Sequence, residues 1–255
     1  MKSLNIRACY RTDKGRIRRN NEDSFYSNTN LKIFIIADGM GGHIAGEIAS
    51  KIAIDSISNF LKKQIEKKDV EEYKMNELLL ESLAIANCKI LNESMNNPCL
   101  KGMGTTAAVV VVSKKGNLYL ASIGDSRVYL IDKNIKKISR LTKDHTLVEE
   151  LHDKGIISTS NTKKHPLRHI LSQALGLGQN IKPFIKEIKF SFDEYVLLCS
   201  DGLTEMVSDD EILNILNSTN SENLKAKCNK LVEVANTNGG LDNISVILLK
   251  NIGFN

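Results

Sequence analysis

The sequence predicts a layered α+β protein, with sheets packed together and helices outside, and three observations carry that prediction. Short apolar runs rich in β-branched residues, bounded by Gly, Asn or Asp, mark strands at 4–10, 31–37, 105–113, 117–123, 126–132, 184–190, 194–199 and 243–250. Two long stretches with apolar residues at helical spacing separate the second strand from the third. Turn signals, Asn117 after Lys115-Gly116 and the pair Lys133-Asn134, join successive strands directly, which argues for antiparallel meanders over regular βαβ alternation.

Taken in order, the first strand is LNIRACY and the second is the near-continuous apolar run ending in IFIIA. The helix over 45–66 places Ile48, Ile52, Ile57, Phe60 and Leu61 on one face, and the helix over 71–95 does the same with Leu79, Leu83, Ala86 and Ile90. The run AAVVVV at 107–112 is the longest purely aliphatic one and opens the meander. Late helices follow at 209–217, after the N-cap signal Ser208-Asp209, and at 221–236. Residues 143–180 stand apart as a polar stretch of helix and loop holding four of the five histidines, and an excursion of that length is often functional.

Composition excludes several classes. At 255 residues, 42% hydrophobic and 25% charged, the chain reads as one ordinary globular domain spanning 1–255, with no low-complexity linker. The net charge of +5 is scattered as lysine pairs at 62–63, 67–68, 114–115, 136–137 and 163–164, where nucleic-acid binding would want one basic stripe. Five cysteines, an odd number without a C-x-x-C pair, suggest neither a disulfide framework nor a zinc ribbon, and the expectation is reduced thiols. The N-terminus lacks the apolar core of a signal peptide, and no run approaches the ~20 apolar residues of a membrane span. A cytoplasmic protein is expected, without nucleic acid or membrane as partner.

Four aspartates are the chemical signal. Asp38 closes KIFIIADG, Asp125 closes LYLASIGDS, Asp201 closes YVLLCSDG and Asp242 opens LDNISVILL. An unpaired carboxylate at the buried end of an apolar strand costs several kcal/mol. Repetition of that cost points to a shared cation, and hard oxygen ligands without Cys or His pairs indicate Mg²⁺ or Mn²⁺ over zinc. Asp125 has a blander alternative, a pairing with Arg127. In TDKGRIRRNNEDSF, Arg18 precedes Glu22 and Asp23 and can grip phosphate oxygens bidentately, whereas Arg16 and Arg19 read as surface charges. The glycines of ADGMGGHIAGEIAS allow close backbone approach, but Glu47 stands where a P-loop needs Lys. Cys199 lacks the arginine that a thiol phosphatase carries six positions later, where Glu205 stands. His145, His152, His165 and His169 read as surface or loop-packing residues.

The order of these motifs resembles the metal-dependent protein phosphatases, the protein phosphatase 2C family, and especially its single-domain bacterial members. The resemblance runs through TDKGRIRRNNEDS, DGMGGHIAGEIAS, GMGTTAAVVVV, IGDSRVYL, DHTLVEEL, HPLRHILSQALG, LLCSDGLTEMV and GGLDNISVILL, nearly the whole chain. It implies a central antiparallel β-sandwich flanked by helices on both sides, a four-layer α-β-β-α stack, with residues 143–180 as a flap beside the cleft. It implies a protein serine/threonine phosphatase acting through a metal-bridging hydroxide, since two cations about 3.5–4 Å apart can share a water and lower its pKa.

Position by position, the resemblance implies that Asp38 bridges two Mn²⁺ or Mg²⁺ ions and the Gly39 carbonyl binds the second. Asp201 and Asp242 complete the first ion's ligands, and Glu22 holds metal-bound water. Asp125 binds a third ion with Asp201, Arg18 grips the substrate phosphate, and Asp23 and Asn243 support the ligands from behind. Met40 stands where many eukaryotic relatives carry a histidine proposed as general acid, which leaves His43 as the nearest candidate donor, against a metal-bound water or a loop-end packing role. The expected partners are phosphoproteins and a cognate serine/threonine kinase, the expected state a monomer. Two alternatives keep the fold: a phosphatase dedicated to one regulatory phosphoprotein, such as an anti-anti-sigma factor, and a silent phosphoprotein-binding module.

Overall fold

The run Ile33–Ala37 shows no alternation of apolar and polar residues because both of its faces are covered. Phe34 and Ile36 point into the space between two sheets, whereas Ile33, Ile35 and Ala37 point at helices on the other side, and all five are fully buried. The same division splits AAVVVV, with Ala108, Val110 and Val112 between the sheets and Ala107, Val109 and Val111 under the helices. Each such aliphatic side chain contributes about 1.5–3 kcal/mol on burial, so a strand covered on both faces is anchored twice.

The computed structural model describes residues 4–42, 44–67, 74–132, 136–158, 165–218 and 223–254. In chain order the strands and helices are β1 (Leu4–Asp13), β2 (Ser24–Asn28), β3 (Ile33–Ala37), β4 (Gly39–Met40), α1 (Ile44–Glu66), α2 (Met75–Asn96), β5 (Gly104–Thr105), β6 (Ala107–Val112), β7 (Asn117–Ile123), β8 (Arg127–Asp132), β9 (Lys137–Arg140), α3 (Leu147–Asp153), β10 (Phe184–Lys189), β11 (Tyr195–Cys199), a single turn α4 (Asp201–Thr204), α5 (Asp209–Ser218), α6 (Leu224–Thr237) and β12 (Ile244–Phe254). One sheet has the order β1-β12-β11-β8-β9, the other β10-β7-β6-β3-β2, and β4 pairs with β5 apart from both. Neighbouring strands are antiparallel throughout. Helices α1 and α2 cover the second sheet and α5 and α6 the first, giving the α+β sandwich with helices on both sides that the sequence predicts.

Details differ from expectation for physical reasons. The fully covered stripe of α1 is Ala45, Ala49, Ala53, Ile57 and Leu61, at successive i+4 positions, while Ile48, Ile52 and Phe60 flank it half-buried. Small residues let α1 lie close to the sheet, so the bulkier apolar residues sit at the seam's edge. The expected α2 stripe of Leu79, Leu83, Ala86 and Ile90 is fully buried. Strands β2 and β9 were not expected; both are sheet edges, and edge strands carry weak apolar signals. The Lys115-Gly116 turn forms with Gly116 at φ 88°, and Ser208 and Glu211 bond reciprocally at the start of α5 as a capping box. The Lys133-Asn134 turn, Lys163-Lys164 and the expected helix starts at 71 and 221 lie outside the described residues. The reduced-thiol expectation is corrected: Cys9 in β1 and Cys228 in α6 form a disulfide, leaving Cys88, Cys99 and Cys199 free. The two partners are 219 residues apart, so only the packing of α6 on the first sheet reveals them.

Candidate active site

Antiparallel register decides where the acidic residues go. The pairs Ser24↔Ala37 and Ala107↔Ile123 in one sheet, and Arg127↔Cys199, Cys199↔Val246 and Asp13↔Ile244 in the other, are terminal pairs at one edge of the stack. Glu22 lies just before β2, Asp38 just after β3, Asp125 just after β7, Asp201 just after β11 and Asp242 just before β12. All five therefore meet at that edge, where they line a cleft of about 900 Å³ with Arg18, Gly39 and Asn243.

The backbone around Asp38 is held on both sides. Its N–H donates to Thr106 Oγ1 at 3.0 Å, and its carbonyl accepts from the Thr106 N–H at 2.9 Å and Thr105 Oγ1 at 2.8 Å. The glycines of the neighbouring motif make room for chain and ligand. A Cβ on Gly39 would stand 2.1 Å from the Gly46 carbonyl oxygen, and one on Gly46 would stand 1.9 Å from Glu22 Oε2. The first turn of α1 thus packs on bare backbone and leaves a slot for the Glu22 carboxylate, which is what these glycines do in place of a P-loop.

Asn243 joins three segments. Its Oδ1 accepts from the Glu22 N–H at 2.8 Å, its Nδ2 donates to the carbonyls of Lys14 at 3.0 Å and Asn20 at 2.8 Å, and its own N–H donates to Asp242 Oδ1 at 2.8 Å. Asp23 is buried behind the cleft, accepting from Ser200 Oγ at 2.8 Å through one carboxylate oxygen. Asn243 thus lines the cleft while tying Glu22 to Asp242, and Asp23 lies buried against Ser200, the residue before Asp201.

Negative charge is concentrated here. Burial, and then the charges of Asp23, Asp201, Asp125 and Asp242, push Asp38 well above the usual carboxylate range. Burial followed by Asp201 and Asp144 does the same to Asp125. Asp201 rises to about 6, from burial first and the Asp242 charge second, and Asp23 rises to about 7, mainly from burial. Among the described residues no three Asp, Glu, His or Cys side chains stand close enough together to hold a metal ion as they are. The carboxylates instead stand around an open cleft. Two of their oxygens, Asp23 Oδ1 and Asp201 Oδ1, are buried without a hydrogen-bond partner.

Arg18 reaches the cleft from the exposed loop after β1 and donates from Nη2 to Asp242 Oδ2 at 2.7 Å. This pairing of the expected phosphate clamp with an expected cation ligand was not foreseen. The 15–17 turn is tied to the other side by the Arg16 N–H, which donates to the Gly240 carbonyl at 2.7 Å. The alternative reading of Asp125 as the partner of Arg127 is not realised as an ion pair: Arg127 makes a bidentate bond to Asp144, with Nη2 at 2.7 Å and Nε at 3.0 Å from Oδ2. His43 lies outside the described residues, while Met40 lines the cleft.

Residues from the 143–180 excursion complete the wall: Arg168, His169, Leu171 and Leu177. Its first helix, α3, is capped by Thr146, whose Oγ1 accepts from the Glu149 N–H at 3.2 Å. His169 is exposed and lies 3.8 Å from Glu205, and His165 Nδ1 accepts from the Leu167 N–H, both in keeping with loop roles. Of the two roles expected for His145, surface or loop packing, the structure has the second. The residue is partly buried, burial lowers its pKa, and its ring and backbone both bond to Gly124, next to Asp125. Sequence reasoning also missed Thr105, Thr106 and Ser200 as supports. The first two lie inside GMGTT, where β-branching spoke only for a strand.

The family model for protein phosphatase 2C matches residues 16–239. The serine/threonine phosphatase stp of Listeria welshimeri is 38% identical over 248 residues, covering 96% of this chain and 96% of that protein. Among solved structures, the Mycobacterium tuberculosis serine/threonine phosphatase PstP/Ppp superposes with a TM-score of 0.86 at 33% identity, covering 98% of this chain and 100% of its own. The catalytic domain of serine threonine protein phosphatase PstP in complex with two manganese ions superposes with a TM-score of 0.81 at 31% identity, over 98% of this chain and 100% of that one.

Proposed function

The chain belongs to the protein phosphatase 2C family and is a protein serine/threonine phosphatase, and from that premise we propose that its acidic cleft holds divalent cations and presents a phosphoserine or phosphothreonine to them. The observation that carries this reading is the meeting of Asp38, Asp125, Asp201 and Asp242 with Arg18 in one cleft. The residues suit Mn²⁺ or Mg²⁺: the donors are all oxygen, and the unpartnered oxygen of Asp201 is already inside the cluster.

Asp38, the Gly39 carbonyl, Asp201 and Asp242 would hold two ions, and Asp125 with Asp201 a third. When bound, such ions supply positive charge against the phosphate and acidify water in the cleft. The chain's own residues do the rest. Thr105 and Thr106 fix the Asp38 backbone, Asn243 fixes Glu22 and Asp242 together, and Glu22 is placed in the Gly46 slot to orient water. Arg18, with five N–H donors and one engaged by Asp242, has donors left to grip a phosphate. Residues 143–180 serve as a flap that shapes access, supported by Arg168, His169, Leu171 and Leu177 in the cleft wall. Phosphoprotein substrates in turn call for a serine/threonine kinase that makes them.

The test is hydrolysis of a phosphothreonine peptide with Mn²⁺, with EDTA, and by Asp201→Asn with Mn²⁺. Activity should vanish with EDTA and in the variant; full activity in both would overturn the reading. A comparison of kcat/KM on unrelated phosphopeptides with that on one intact phosphoprotein separates a broad enzyme from a dedicated one.

A further inference from the structure

Residues 143–180 meet the strand end that carries Asp125 on both sides of it, through His145 at Gly124 and through Asp144 at Arg127. The His145 N–H donates to the Gly124 carbonyl at 2.9 Å, while the Gly124 N–H donates to His145 Nδ1 at 3.2 Å, so backbone and ring of one residue hold both polar groups of one glycine. His145 also joins the two legs of the flap, because its carbonyl accepts from the Ser172 N–H at 2.9 Å, next to the bond from the Leu147 N–H to the Ile170 carbonyl at 2.8 Å. Asp125 is the next residue after Gly124.

The Gly124 backbone needs holding. Its φ of 91° lies where side chains are disfavoured, and a Cβ there would stand 2.5 Å from Thr106 Cγ2. Beyond Asp125 the chain is fixed again, by Ser126 Oγ against Thr106 Oγ1 at 2.7 Å and by Arg127 on Asp144. With its two neighbours pinned, the Asp125 carboxylate has little freedom left but its own rotamers, and the pin directly on its N-terminal neighbour is His145.

We propose that His145 is a positioning residue: by accepting the Gly124 N–H at Nδ1 it aims the Asp125 carboxylate into the cleft, and so makes the third cation's affinity depend on the flap. The proposal rests on the assignment of Asp125 to that cation. A residue that merely packed the flap base would affect folding stability, not one step of cation binding. Asparagine at this position keeps an acceptor, Oδ1, near the place of Nδ1, whereas alanine has none.

Calorimetric titration of the full chain with Mn²⁺ tests this, beside kcat and KM on a phosphothreonine peptide and thermal midpoints. For His145→Ala the tight steps should match the wild type while the weakest is weakened about tenfold, with kcat lowered about as much and KM unchanged. His145→Asn should recover both to within about threefold. A wild-type isotherm for His145→Ala, or an Asn variant as deficient as the Ala variant, would overturn the proposal. Asp125→Asn separates the two levels of inference: if it loses the weak step while His145→Ala keeps it, only the positioning role falls, and if it too leaves the isotherm unchanged, the role falls together with the Asp125 assignment.

Discussion

Asp38 and Asp125 follow neighbouring parts of the same sheet, yet they are supported in different ways. Asp38 is held by Thr105 at the end of β5 and by Thr106 beside it, through three hydrogen bonds to its backbone, and Thr105 is in turn paired with Leu175. Asp125 is held through Gly124 by His145, which belongs to a polar excursion with little regular structure besides α3. The first support is fully buried, Thr105 and Thr106 being 0% and 3% exposed, whereas the second comes from a half-buried residue of the 143–180 segment. Carboxylates that share one cleft are thus held by different means, one by buried threonines and the other by a partly buried histidine of a polar excursion.

The largest effect should come from breaking the threonine-held part. Asp38→Asn is expected to lower kcat on a phosphothreonine peptide by about 10³-fold or more, since on the proposed reading it removes a carboxylate that would hold both ions. Asp125→Asn should cost less, about 10- to 100-fold in kcat with little change in KM, and higher Mn²⁺ should restore part of it. Steady-state kinetics across Mn²⁺ concentrations separate the two; equal losses would erase the distinction between the regions.

Arg18→Lys should act more weakly still, about tenfold on kcat/KM and mainly through KM, because a lysine cannot span two phosphate oxygens. Arg18 is 53% exposed on its side chain, so its pairing with Asp242 adds little to stability and the thermal midpoint should barely move.

The smallest effect concerns the cluster's electrostatics. Asp23 and Asp201 rise from 3.8 to about 7 and about 6, so the folded chain retains protons that the unfolded chain has released. Their contribution to stability is fully present below about pH 4 and is lost as pH rises through about 6 to 7. In EDTA the thermal midpoint should therefore fall between about pH 5 and pH 8, with a shallower fall for Asp201→Asn than for the wild type. Saturating Mn²⁺ should flatten the wild-type profile, and scanning calorimetry in matched buffers checks it.

The contrast between the regions also explains how far the sequence could be read. The central strands were legible because covered faces demand unbroken apolar runs, as in Ile33–Ala37 and Ala107–Val112. The carboxylates were legible because they interrupt those runs at the ends. Edge strands β2 and β9 lacked that demand and were missed. The hub role of Asn243 was foreseen only as support for the ligands, since its bonds reach Lys14 and Asn20 more than two hundred residues away in sequence. His145 was legible only as a surface or loop-packing histidine, because no sequence signal ties it to its partner Gly124. Cys9 and Cys228 escaped for the same reason of distance.

The central claim, a cation cleft divided between a core-held bridging site and a flap-held additional one, is tested most directly by calorimetric titration of Mn²⁺ into wild type, Asp38→Asn and Asp125→Asn. The account predicts that Asp125→Asn keeps the tight binding steps and loses only the weakest, whereas Asp38→Asn loses the tight ones. Identical isotherms for the two variants, or loss of tight binding in Asp125→Asn alone, would contradict it.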